Sequence, residues 1–166
     1  MGEGSGVEGQ GGARGSGYRQ LKAWQKADDL AFAIWRLSRK IGRDDYWLTN
    51  QLRRASSSVP ANIVEGYSRL SLREYLHHLS IARLSLAETE YWLHFAERLE
   101  HLTVEEVQTL SPLMTEAGNL LYGLIRALAK RLETGPTQAN RYLIRDSGDS
   151  PYGRNDDEPD LSNLDP

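Results

Sequence analysis

Cysteine is missing from all 166 residues. That excludes disulfides, thiolate metal sites and a cysteine nucleophile, and it fits a cytosolic protein without requiring one. Long apolar runs are missing as well. No stretch approaches the ~20 residues that cross a bilayer, and the first residues lack the unbroken apolar segment of a signal peptide. The expected location is the cytoplasm, with no membrane partner. Strand-like alternation between turn residues is absent too. So are G-x-x-x-x-G-K and any glycine-rich loop between a strand and a helix, which removes the common phosphate cradles.

What is present divides into three parts. Residues 1–17, "MGEGSGVEGQGGARGSG", are nearly half glycine with a single Val. Such a segment cannot bury enough apolar surface to offset its ordering entropy, so a disordered head is expected. Residues 134–166 are polar and acidic, and a disordered tail is expected there. The compact part is 18–133, large enough for one core. Charge follows the same division. Lys plus Arg against Asp plus Glu is 1 against 2 in the head, 16 against 14 in the domain and 3 against 7 in the tail. A domain near +2 is less basic than most nucleic-acid binders. A tail near −4 suits solubility, or competition with a polyanion for basic surface.

Helical periodicity fills the domain. Leu21, Trp24, Ala27, Ala31, Ile34, Leu37 and Ile41 step by threes and fours, with Gly42 expected to stop the helix. Leu48, Leu52, Ala55, Val59 and Ile63 repeat the pattern, with Thr49 or Asp45 as possible caps. Ser71-Leu-Arg-Glu74 matches a capping box and opens a third stripe through Leu72, Leu76, Leu79, Ala82, Leu86, Leu93 and Ala96. That helix is expected to run ~30 residues, or ~45 Å. Thr103-Val-Glu-Glu106 is a second box. It leads a near-heptad stripe through Val107, Leu110, Met114, Ala117, Leu121, Leu124, Leu128 and Leu132, ended by Gly135-Pro136. Pro112, Gly118 and Gly123 predict bending in this last helix. Four stripes joined by short polar links predict an all-α fold, an antiparallel up-down four-helix bundle.

Chemistry finds little purchase. A di-iron bundle needs two Glu-x-x-His pairs plus a Glu from each remaining helix. Only Glu74-Tyr-Leu-His77 fits, and the fourth helix has no histidine. Ser56, Ser57 and Ser58 lack a nearby histidine and a nucleophile elbow. Neither an enzyme nor a metal or other cofactor is expected. Trp24 and Trp92 sit among stripe positions and read as core. Trp35 and Trp47 lie off the stripes and read as subunit-interface anchors, with base stacking as the other use.

The least ordinary stretch is "QLRRASSSVPANIVEGYSRLSLREYL", residues 51–76. With Leu52 facing the core, Arg54, Ser58, Ala61 and Glu65 fall opposite, so a helix with one apolar flank and one small-residue flank would pack on two sides. Pro60 predicts a kink near Ser56 to Pro60, relieved by serine hydroxyls. Its flanking cations stand out. Arg53 and Arg54 precede the kink, Arg69 and Arg73 lie at the next link, and Lys22 and Lys26 are one turn apart on the first helix. Side by side, these six would offer phosphates a positive surface.

"RQLKAWQKADDLAFAIWRLSRKI", "LTNQLRRASSSVPANIVEGYSR" and "REYLHHLSIARLSLAETEYWL" together resemble the bacterial four-helix-bundle proteins named after the 23S ribosomal RNA intervening sequences inside which some are encoded. The pattern L-x-x-Q-L-R-R-A-x-x-S-V-P-A-N-I-x-E-G stands at Leu48 to Gly66, and the likeness covers most of 18–133. The accessory variability determinant of diversity-generating retroelements is a related group that works beside a reverse transcriptase. The resemblance implies a ring-shaped homopentamer with a basic surface, and nucleic-acid binding in the retroelement branch. Within the motif, Asn62 and Glu65 read as ties to a neighbouring helix, Gly66 as a tight exit, and Arg53 and Arg54 as polyanion contacts. Two functions follow. One is an oligomer that binds RNA or a nucleic-acid–protein complex through Lys22, Lys26, Arg53, Arg54, Arg69 and Arg73. The other is a scaffold that presents the same surface to a protein such as a reverse transcriptase.

Overall fold

Residues 17–134 are described by a computed structural model, and their regular structure is entirely helical. The expectations for the head and tail lie outside the described residues, except that Gly17 opens the first turn and Thr134 closes the last helix. A 3-10 turn, Gly17–Gln20, precedes α1 (Lys22–Leu37). Two further 3-10 turns, Ser38–Lys40 and Arg43–Asp45, lead to α2 (Tyr46–Tyr67). Then come α3 (Leu72–Arg98), a short α4 (Val104–Gln108) and α5 (Ser111–Thr134). Helices α1, α2, α3 and α5 are the four long ones. α2 packs on α1 and α3, and α5 packs on α1 and α3.

The apolar stripes explain this packing. One core cluster joins Leu30, Ile34 and Ile41 with Leu48 and Leu52, Leu93 and Ala96, Leu102, Leu110 and Ala117. The other joins Ala27 with Val59 and Ile63, Tyr75, Leu79 and Ala82, and Leu121. The late part of α1 thus meets the early part of α2, the late part of α3 and the early part of α5. The second cluster collects the opposite parts. Tyr75, Ser85 and Thr89 are buried on α3, where the stripe did not include them. Thr89 stays dry by donating to the Ser85 carbonyl at 2.8 Å, and Ser85 Oγ meets Ser58 Oγ at 2.9 Å.

Several local expectations need correction. Gly42 does not end α1, which stops at Leu37. Gly42 has φ −60°, and Ser38 Oγ donates to the Trp35 carbonyl at 2.9 Å. Asp45 stands at the N-cap position of α2 but its side chain makes no capping bond there, and Thr49 does not cap the helix. Thr49 is buried inside it, while Asp45 accepts from Trp47 Nε1 at 3.1 Å and pairs with His101 Nε2 at 2.9 Å. α2 runs unbroken through Pro60, with Ser56 and Ser57 donating to the Arg53 and Arg54 carbonyls. The last stripe is divided. Pro112 cannot donate to the Gln108 carbonyl, so α4 ends there. α5 begins at Ser111, which puts Pro112 in a first turn where no intrahelical amide is needed. Gly118 and Gly123 lie inside the unbroken α5.

α3 ends in a Schellman motif. His101 N–H donates to the Ala96 carbonyl at 3.0 Å and Glu100 N–H to the Glu97 carbonyl at 2.9 Å. Glu100 supplies the left-handed residue, φ 60°, that glycine normally provides. Glu100→Gly is therefore expected to raise stability by about 0.5–1 kcal/mol, read as a higher urea midpoint. A lower midpoint would show that the Glu100 side chain outweighs its backbone strain.

Candidate nucleic-acid interface

The six cations singled out in the sequence fall into different surroundings. Lys26 Nζ pairs with Glu116 at 3.1 Å, tying α1 to α5. Arg53 is half-buried. Its Nε donates to Ser38 Oγ at 2.9 Å and its guanidinium lies 5.1 Å from the Trp35 ring centre, so it ties α2 to α1. Arg54 turns the other way, donating to Gln51 Oε1 at 3.1 Å and pairing with Glu88 of α3. These three act as struts between helices. Lys22, Arg69 and Arg73 are exposed. At the helical rise of 1.5 Å, Arg54 stands about 20 Å along α2 from its end near Arg69. The structure therefore does not gather all six on one surface.

It gathers a different set. Tyr18, just before α1, lies with its ring 6.5 Å from that of Tyr67 at the end of α2. Leu21, Trp24, Tyr67, Leu124, Ile125 and Leu128 all pack on the core cluster that contains Tyr75. The start of α1, the end of α2, the start of α3 and the end of α5 thus share one end of the molecule. Residues 17–25, 65–77 and 122–134 carry seven cations (Arg19, Lys22, Arg69, Arg73, Arg126, Lys130 and Arg131) against Glu65, Glu74 and Glu133. The balance is 7 − 3 = +4, whereas the rest of 17–134 holds nine cations against eleven carboxylates, or −2. All seven are exposed. Among the described residues none of them pairs with a carboxylate, while Lys26, Lys40 and Arg54, elsewhere, pair with Glu116, Glu106 and Glu88. Sequence reasoning found three of the seven. The other four were missed: Arg19 lies before the first helix and belongs to no stripe, and Arg126, Lys130 and Arg131 each look like an ordinary helix-surface cation until α5 is brought back beside the other termini.

A polar seam runs behind this end. Arg69 Nε donates to His78 Nε2 at 3.1 Å, which makes that nitrogen an acceptor and leaves the proton on Nδ1. Nδ1 faces Asn62 Oδ1 at 3.3 Å and Glu65 Oε2 at 3.5 Å. Asn62 Nδ2 donates to the Ser58 carbonyl at 2.8 Å and to Ser58 Oγ at 3.0 Å. Asn62 and Glu65 thus tie α2 to α3, as their motif positions suggested. Gly66 has a different role from the one expected. It has no positive φ and lies within α2, and an added Cβ would stand 2.7 Å from Tyr75 Cδ2 and 2.9 Å from His78 Cβ. It allows close packing on α3, not a tight exit.

The remaining surface is unusually apolar at the other end. Trp47, Tyr91, Trp92 and Phe95 form a ring cluster with Trp92 centred 4.9 Å from Tyr91 and 6.0 Å from Trp47. Trp47 is 46% and Tyr91 53% exposed, and Leu84, two turns before Tyr91 on α3, is 63% exposed. On α1, Phe32 and Trp35 are exposed as well. Of the α2 flank expected opposite Leu52, Arg54, Ser58 and Glu65 instead meet Glu88, Ser85 and His78 of α3, while Ala61, with Ser57 beside it, is open to solvent. A shallow groove lined by Gln108, Ser111, Pro112, Thr115, Glu116, Asn119 and Leu120 runs beside α4 and α5 and brings no nucleophile–base pair together. Among the described residues no three His or carboxylate side chains converge as metal ligands would. Nor is any helix there long and apolar enough to cross a membrane.

Electrostatics at the α4 start are local. Glu106 is held below the usual carboxylate range by Lys40 and by the Thr103 backbone amide of the completed capping box. Its folded value is depressed, so this contribution is present above the ordinary carboxylate range and is lost as pH falls through the folded value.

No curated protein matches the chain. A crystal structure of a protein of unknown function from the S23 ribosomal protein family of Bacteroides thetaiotaomicron is similar, with 28% identity and a TM-score of 0.58. The likeness covers 63% of this chain and 98% of that one. The family model described as 23S rRNA-intervening sequence protein matches residues 19–123, all four long helices except the last part of α5. The chain belongs to the 23S rRNA-intervening sequence protein family.

Proposed function

We propose that this chain is a non-enzymatic, cytoplasmic, oligomeric helical bundle that binds nucleic acid through its cationic end. The observation that carries the reading is the set of seven exposed cations, unpaired with carboxylates among the described residues, on one end of a domain whose remaining charge is net negative. Phosphates would supply the missing partners. No element suited to reading base edges accompanies them, so contacts are to the backbone, with little sequence preference and strong salt dependence. The alternation of early and late helix segments between the two core clusters supports an antiparallel up-down order. The exposed aromatic surface at the other end and the open Ser57 and Ala61 of α2 support self-association. A ring-shaped homopentamer is the assembly that the family resemblance implies.

The test is a titration of labelled RNA and DNA at rising salt, with the assembly mass measured on the same sample. Affinity is expected to fall steeply with salt. Arg69→Ala combined with Arg73→Ala and Lys130→Ala is expected to flatten the log–log slope by about 2 for single strands. Arg53→Ala plus Arg54→Ala is expected to change binding little. Flat salt dependence would overturn the reading.

A second reading has its own support. Trp47 and Tyr91, exposed in one ring cluster with Trp92 and Phe95, form the kind of anchor surface that protein partners use, so the bundle could act as a scaffold for a protein such as a reverse transcriptase. No affinity for nucleic acid at low salt, with a defined protein bound through these residues, would favour it.

A further inference from the structure

We propose that the acidic tail of this same chain docks on the cationic end and competes there with nucleic acid. The inference rests on the reading of that end as a polyanion site. Three observations carry it. α5 is described to Thr134, past Leu128, which packs against the core cluster beneath the cations, so residues 135–166 are attached at the charged end itself. The 32 residues that follow, 135–166, hold three cations against seven carboxylates, a balance of −4 opposite +4. Four of those carboxylates, Asp156, Asp157, Glu158 and Asp160, fall within five positions.

Magnitudes favour the contact. The 22 residues from Thr134 to Asp156 extend at most about 75 Å, so reach does not limit it. Tethering gives the acidic cluster an effective concentration in the millimolar range, which lets weak attraction fill a large fraction of sites. Screening acts over about 8–10 Å at moderate salt, so the contact fades as salt rises. The four clustered carboxylates can pair with Arg69, Arg73, Lys130 and Arg131 in place of phosphates, while remaining displaceable by a longer polyanion. Apparent affinity for nucleic acid is then reduced by the fraction of ends left uncovered.

The test uses the full chain. A variant carrying Asp156→Asn, Asp157→Asn, Glu158→Gln and Asp160→Asn is compared with the parent for binding a labelled single-stranded RNA. The expected result is about three- to tenfold tighter binding at low salt, narrowing as salt rises. In the background Arg69→Ala, Arg73→Ala and Lys130→Ala the difference should vanish. A difference that persists there means the acids act through net charge alone and overturns docking. Equal binding by parent and variant overturns the inference while leaving the cationic end as the nucleic-acid site.

A second measurement needs no nucleic acid. Zero-length carbodiimide coupling should join Lys22 or Lys130 to a carboxylate of residues 156–160, and high salt should abolish the product. If neither protein binds RNA, the proposed function fails, and the coupling result alone decides whether the tail docks. Coupling spread evenly over Lys26 and Lys40 would overturn it.

Discussion

Leu52→Ala is expected to cost about 2–5 kcal/mol of folding stability, a large fraction of what a domain this size possesses. Leu52 is 0% exposed and sits in the core cluster with Leu30, Ile34, Leu48 and Leu93. Truncation removes three carbon atoms' worth of burial and leaves a cavity that three packed helices cannot close. Leu52→Met, which keeps the volume, is expected to cost less than about 1.5 kcal/mol. Urea unfolding followed by circular dichroism measures both. A loss below about 1 kcal/mol for the alanine variant would mean that the core around Leu52 collapses easily, against the packing described here.

The second large effect is expected from adding atoms, not removing them. Gly66→Val places its first carbon where Tyr75 Cδ2 is 2.7 Å away and His78 Cβ is 2.9 Å away. The His78 contact is to a carbon next to the backbone, so neither helix can yield by turning a distant side-chain tip. Valine is a better helix former than glycine by a few tenths of a kcal/mol. Overpacking costs about 1–3 kcal/mol or more, and it outweighs that gain. Gly66→Ala should fall between parent and Val. An unchanged or higher urea midpoint for either variant would show that α2 and α3 stand farther apart at this point.

Much of the fold was legible because apolar residues at steps of three and four leave few alternatives. The Thr103 box forms in both directions, Thr103 Oγ1 accepting from Glu106 N–H at 3.2 Å and Glu106 Oε2 from Thr103 N–H at 3.0 Å. At Ser71 only the forward bond to Glu74 N–H, 3.2 Å, is made. The split between α4 and α5 was displaced from the expected bend because proline disturbs the turn before it, while Leu110 stays buried and keeps the stripe in phase across the break. Ser85 and Thr89 were missed for another reason. Their hydroxyls are satisfied within the helix seam, and side-chain polarity alone cannot reveal that.

The candidate site was less legible. Arg53 and Arg54 are adjacent in sequence, yet they point to different helices and are occupied there. A residue's neighbours along the chain say little about which groove its side chain will enter. Arg126, Lys130 and Arg131 became part of the site only through the return of α5, a relation between termini that no local pattern encodes.

The hydroxyl, amide and imidazole groups between α2 and α3 also discriminate against wrong alignments of this hairpin. A slide of one helical turn would still set mostly apolar residues against one another, so greasy contacts alone penalise it weakly. The same slide would part Ser58 from Ser85 and Asn62 from His78, leaving these part-buried groups without their partners, and would move Gly66 away from Tyr75 and His78. The correct alignment is therefore chosen less by what holds the two helices together than by what a misaligned pair would have to leave unsatisfied.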